Sequence, residues 1–294
     1  MPSSRFFQIG FALAIAALAT VRPVAAENTR PVAWHDDYLA AIRSAKEQGR
    51  MLMVHFYDPD RMDLADQFAE HSLNKPEVQK RLLRYERVRV PLDAKIIVDG
   101  REQTVLKRPG YREMLGRAGV AIVDFKHAGS RHYKQVVSTF PFPHDRYYGP
   151  KTMQNVLGLP AGSLTQRTII FAVRQHPEAP ASTRGTLHPV LKGEAESHST
   201  HQANIHVQGH HSWESRFHRI NARVGDGALA TEVVAESWPG ENLVEAAIEC
   251  VHSWRQSPGH WNAVRSRHRF FAFDMKRGSN GIWYATGLFA NRNR

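Results

Sequence analysis

The sequence predicts a mixed fold in two parts, an α/β half followed by an α+β half. Three observations carry this expectation. Helical and strand patterns alternate between Tyr38 and Phe140, as they do in sheets built through helical crossovers. A polar stretch rich in proline, Pro177 to Gly185, then interrupts the chain and reads as a linker. Beyond it helical patterns come first, and a hairpin closes the chain around the turn signal Asn280-Gly281. The 294 residues suit two domains at roughly 150 residues each.

The N-terminus differs from the rest. Arg5 precedes an apolar run from Phe6 to Val21, and Val24-Ala25-Ala26 offers small residues for cleavage before Glu27. Residues 1–26 therefore read as a secretory signal peptide, and the expected location is secreted or periplasmic. An uncleaved membrane anchor is the alternative, although the run is short for a spanning helix. The hydrophobic fraction of 42% is too low for a polytopic membrane protein. Net charge is +11, and the leader holds two arginines and no acid, leaving +9 beyond it. A basic exported protein suits an anionic envelope component, such as phospholipid or acidic wall polymer, and peripheral contact with a membrane. Nucleic acid is not expected, since the bases are dispersed among acids without zinc-finger or RNP-like patterns. The single cysteine, Cys250, can form no disulfide within the chain and reads as a small buried apolar residue.

In the first half, Tyr38, Ala41, Ile42 and Ala45 keep helical spacing and Gly49 closes the helix. Met51 to Tyr57 is an apolar run broken by His55, as in a central strand buried on both faces. Asp58-Pro59-Asp60 is a turn with a capping acid, and Ala65, Phe68 and Leu73 suggest the next helix. Val88, Val90 and Leu92 alternate in a strand that Pro91 pushes towards an edge. Asp99-Gly100 is a turn, and strands follow at Val120 to Phe125 and Gln135 to Phe140. This order, with the phrase from Trp34 and Tyr38 to Met51-Leu-Met-Val-His-Phe-Tyr57, resembles a thioredoxin-like domain over residues 28–176. The resemblance puts Arg61 and Leu64 where the redox family carries its C-x-x-C pair, and Arg117-Ala118-Gly119 where its proline is usually found. Dithiol exchange needs a reactive thiolate and a resolving thiol, so a redox-inactive module is implied. Thr168 to Val173 reads as a further β-type run, and residues 177–185 as the linker.

In the second half, Glu194 to Val207 suggests a helix ended by Gly209, and ten of the 17 histidines fall between His188 and His268. His198 and His201, three apart, could share a helix face and a metal, as could a solvated polar face by chance. Val244, Ala247, Ile248, Val251 and Trp254 mark a buried helix face, which Pro258-Gly259 stops just before His260. Phe270 to Met275 and Ile282 to Phe289 form the closing hairpin. Trp254, Ser257, Pro258, Gly259, His260 and Val264, followed by Gly281, Tyr284 and Phe289, are similar to the signature of the CAP superfamily, the SCP-like and cysteine-rich secretory proteins. The resemblance covers residues 186–291 and implies an α-β-α sandwich, closest to the cysteine-poor bacterial branch.

It also implies a cleft of two histidines and one or two glutamates. His260 matches the second histidine. Gly209-His210-His211-Ser212-Trp213 matches the first location, with His211 chosen over His210. The glutamate is Glu232 or Glu241, and Glu249 lies near the position of a second one. His211, His260, Glu232 and Glu241 are thus the candidate metal ligands, for zinc or another divalent metal, since imidazoles and a carboxylate suit Zn²⁺ with an open position. No residue is assigned as catalytic outright. The same trio could act as an acid–base pair without metal or form a hydrogen-bonded polar network that fixes the fold, and the network and ligand binding are favoured over catalysis. The function expected is a non-enzymatic extracytoplasmic binding protein for a metal ion or small ligand. The alternatives are a metal-dependent hydrolase using the same residues and a thiol-independent chaperone centred on the first half.

Overall fold

The computed structural model describes residues 33–143, 146–225 and 227–292. The leader expected at residues 1–26 lies outside them, and no helix among the described residues is long and apolar enough to cross a membrane. The described residues form a mixed α/β structure with two four-stranded sheets and one short hairpin.

Helix α1 spans Tyr38–Gln48, capped by the Asp37 side chain at its start and by left-handed Gly49 at its end. Strand β1, Met51–Tyr57, leads through a 3-10 turn capped by Asp58 into α2, Met62–Phe68. Helix α3, Pro76–Leu82, is followed by β2, Tyr85–Pro91, and by the hairpin β3, Lys95–Val98, and β4, Arg101–Thr104. Asp99 and Gly100 turn that hairpin with φ of 50° and 74°. Strands β5, Gly119–Val123, and β6, Val136–Pro141, complete the first sheet in the order β2-β1-β5-β6. β1 pairs in parallel with β2 and antiparallel with β5. β1 is thus central and β2 an edge, as the apolar run and Pro91 predict.

Helices α4, Pro150–Leu157, and α5, Leu164–Gln175, come next. α5 corrects the β-type reading of Thr168 to Val173. Ser163 and Gln166 form a reciprocal capping box at its start, which satisfies two otherwise orphaned backbone donors. The chain then forms β7, Thr186–Leu187, α6, Pro189–Ile205, α7, Trp213–Val224, and β8, Ala228–Glu236. α6 begins five residues before the expected start, with a proline in its first turn, and ends at left-handed His206. Helix α8, Leu243–Gln256, buries Ala247, Val251 and Trp254 as its periodicity predicts, together with Cys250. Ile248 faces outward instead, 37% exposed. Pro258 does not simply stop this helix. Extended Ser257 breaks it, and Pro258 opens a new helix, α9, Pro258–Arg265, where its missing N–H costs nothing. Strands β9, Phe270–Arg277, and β10, Trp283–Arg292, close the second sheet in the order β7-β9-β10-β8.

Helices cover both faces of the second sheet. Ala230, Ala272, Leu288 and Ala290 pack with Leu191 and Ala195 of α6 and Ile220 of α7. Val233, Phe273, Met275 and Phe289 face the other way, towards α5, α8 and α9, and belong to a core that also includes Met53, Ile122 and Phe140 of the first sheet. α5 packs on β6 and on β9, so one helical layer serves both sheets. A separate core under α1 covers the first sheet's outer face.

Candidate functional site: a histidine–glutamate network beside β8

The second sheet ends at β8, and Glu232 points from it to the α6 and α7 side. Its side chain is buried, as are those of Arg216 on α7 and His198 on α6. Arg216 grips the carboxylate in a two-pronged pair, with Nη1 donating to Oε1 at 3.1 Å and Nη2 to Oε2. His210 Nδ1 donates to Oε1 at 3.0 Å, and His198 Nε2 lies 3.7 Å from the same oxygen. Burial would raise the Glu232 pKa, but the hydrogen bonds from His210 and Arg216 and the charge of Arg216 hold it below the usual carboxylate range. An ionised acid is therefore fixed below the surface.

His210 is the exposed end of this arrangement. Its Nε2 stands 3.3 Å from His260 Nε2. Because His210 Nδ1–H donates a hydrogen bond to the carboxylate, its Nε2 is an acceptor in the neutral ring and His260 Nε2–H is the donor. Burial and the neighbouring His210 lower the His260 pKa. The first turn of α9 supplies His260.

The loop that carries His210 is pinned from α6. His198 Nε2 donates to the Gly209 carbonyl at 2.9 Å, and Gly209 N–H donates to Gln202 Oε1 at 3.1 Å. His198 and Gln202 are four apart, hence on one helix face. Burial lowers the His198 pKa to about 4, so the ring is a neutral clamp. His206 and Ser212, with φ of 56° and 52°, turn the chain at either end of the loop. A side chain at Gly209 would meet the His211 ring at 3.2 Å.

Of the four candidate ligands, the structure brings Glu232 and His260 together through His210. His211 folds back instead: its Nε2 donates to the Val207 carbonyl at 3.1 Å, and its ring lies 5.4 Å from that of His201 and 6.0 Å from that of His198. Glu241 accepts from Trp238 N–H at 3.2 Å in the loop after β8. Its pKa is raised by burial and by Glu249 and Glu245, and no bond joins it to the histidines among the described contacts. Sequence reading missed Arg216 and Gln202, and paired His198 with His201 rather than with Gly209 and Glu232. The available signal was the i, i+4 pair His198 and Gln202 on a helix leading straight to the histidine loop. Among the described residues, no three His, Cys, Asp or Glu side chains converge on one metal position.

No protein-family model and no curated protein matches this chain. Among solved structures, a thioredoxin from Thermus thermophilus is similar over 32% of this chain and 65% of its own length, at 26% identity and a TM-score of 0.25.

Proposed function

We propose that the protein is an exported binding protein whose CAP-type cleft, formed by His210, His260 and Glu232, holds a divalent cation such as Zn²⁺, beside a thioredoxin-like module that does no redox chemistry. The observation that carries this is the 3.3 Å separation of the two imidazole Nε2 atoms. Two imidazoles on one tetrahedral zinc, with bonds of about 2.0–2.1 Å, stand roughly 3.3–3.4 Å apart. Glu232 on the far nitrogen of His210 is the carboxylate partner that orients a metal-binding histidine and raises its basicity. Helices on both faces of the second sheet support the CAP-type reading, with His210 taking the place first assigned to His211. Two protein nitrogens leave open positions for water or an anionic ligand. Catalytic zinc sites usually have three protein ligands, so this donor set favours binding over the hydrolase alternative. The first half has no cysteine, which supports a binding or scaffold role for it.

Calorimetric titration of the full chain with Zn²⁺ tests the reading. One ion should bind per chain. His210→Ala and His260→Ala should abolish binding, and Glu232→Gln should weaken it by about 10- to 100-fold. His211→Ala and Glu241→Gln should bind as the wild type does. Undiminished binding in folded His260→Ala would sink the proposal.

A further inference from the structure

A second site lies where α3, α4 and α5 meet, in a cleft of about 280 Å³ lined by Arg81, Lys151 and Arg174 with the amides of Gln154, Asn155 and Gln175. No aspartate or glutamate is among its described lining residues. The guanidinium groups of Arg81 and Arg174 converge on one residue. Arg174 Nη1 donates to the Gly158 carbonyl at 3.0 Å, and Arg81 Nη1 lies 3.0 Å from where a side-chain carbon of Gly158 would stand. Arg167 stands seven residues before Arg174 on α5, so the two share a helix face. It is 1% exposed and donates to the carbonyls of Leu159 and Pro160 at 3.1 and 2.7 Å, with the Tyr85 hydroxyl beside it.

Arg174 Nε also donates to Thr183 Oγ1 at 3.2 Å and Arg167 Nε to Ser138 Oγ at 2.7 Å. Asp124, outside the cleft, acts on Arg167, and the described ion pairs include none for Arg81, Lys151 or Arg174. Burial lowers the Arg174 pKa, and the charged groups acting on it, Arg167 and Arg81, are both cations and lower it further. Gathering like charges in a partly desolvated cleft without a counter-charge is costly. A bound anion removes that cost. Planar guanidinium forks match the oxygens of a phosphoryl group, a lysine adds a point charge, and amide N–H groups donate to the remaining oxygens.

We infer that this cleft is a binding site for a phosphate group, carried either by a small molecule or by a lipid headgroup. It is separate from the histidine network, shares none of its residues, and does not depend on metal binding there.

The test uses the full chain at low ionic strength. Inorganic phosphate is titrated calorimetrically, and co-sedimentation is measured with phosphatidylcholine vesicles with and without phosphatidic acid. Saturable one-to-one phosphate binding is expected, weakened about tenfold by Arg81→Gln and by Lys151→Gln. Lys151 is exposed, so its variant keeps the fold even if Arg81→Gln does not. Lys134→Gln, in the basic cleft beside Phe125, is the control and should leave binding unchanged. Phosphate binding without sedimentation identifies a small phosphate-bearing ligand. Sedimentation that needs phosphatidic acid and is competed by phosphate identifies a lipid headgroup. The inference is overturned if folded wild-type protein binds neither probe, or if sedimentation resists phosphate competition. It is equally overturned if Lys134→Gln weakens binding as much as Lys151→Gln does.

Discussion

Glu232 and Glu241 differ in what removing their charge would cost. Glu232 is a buried anion against a buried arginine. Breaking such a pair from one side leaves an uncompensated charge and costs roughly 3–5 kcal/mol. Glu232→Gln should lose stability on that scale in urea unfolding at pH 7. Glu241→Gln should change it by less than about 0.5 kcal/mol, as partly exposed substitutions do; equal losses would contradict the network. His55 offers a second residue-scale test. It lies 1% exposed among Trp34, Tyr57, Phe68 and Phe142, with neither ring nitrogen hydrogen-bonded. Burial, with a contribution from Arg89, lowers its pKa to about 3. The unfolded ring takes up a proton below about pH 6.5 while the folded ring does not. The unfolded state then binds more protons, and stability falls as pH falls from about 6.5 towards 3, by about 1.4 kcal/mol per pH unit. His55→Leu should therefore lose about 2–3 kcal/mol less than wild type between pH 7 and pH 4.5 in urea unfolding. A pH dependence identical to wild type would mean that His55 takes its proton in the folded state. At this scale the sequence pointed to the loop, strand and helix that carry His210, Glu232 and His260 but could not separate neighbours. His210 and His211 are adjacent, and the choice between them is made by backbone turns at His206 and Ser212 and by hydrogen bonds from α6. The i, i+4 spacing of His198 and Gln202 marks the helix face that makes those bonds but not which histidine they turn towards Glu232. Glu232 and Glu241 were likewise inseparable until pairing with Arg216 was visible.

Among the elements, the helices with one buried face, α1 and α8, kept the period of their class, because one side meets a core and the other does not. β1 and the closing hairpin are buried on both faces and were legible as short apolar runs bounded by turn signals, whereas α5, also buried all round, was not. α5 has eight consecutive buried residues, Gln166 to Val173. Packing between two sheets erases the 3.6-residue period, and the β-branched content of Thr168-Ile169-Ile170 then imitates a strand. What specifies the helix is its cap. Ser163→Ala should cost about 1 kcal/mol in thermal or urea unfolding, and no measurable loss would show that packing alone sets the helix. Gly287 marks the opposite case, a strand position that cannot carry a side chain. A carbon there would meet Phe273 and Val233 at 2.7 Å. Gly287→Ala should be destabilising by about 1–3 kcal/mol, the usual cost of overpacking.

For the whole molecule, the question is whether Pro177–Gly185 separates two folding units. The stretch has the composition of a linker, and composition was all the sequence offered. Side-chain burial across it is a property of the assembled structure. α5 lies before the stretch yet packs on β9 and α8 beyond it, and apolar residues of both sheets belong to one core. Leu243 N–H at the start of α8 donates to Glu113 at 3.4 Å, and Arg131 pairs with Glu196 of α6. Opening either half would expose the helical layer that the other half needs, so the loss of one is the loss of both. Native-state hydrogen exchange should accordingly give the slowest amides of β1 and β10 the same opening free energy, with matching denaturant dependence, as one cooperative unit requires. Opening energies that differ by more than about 2 kcal/mol would instead mean two domains that unfold independently, and the shared layer would then be an interface between them.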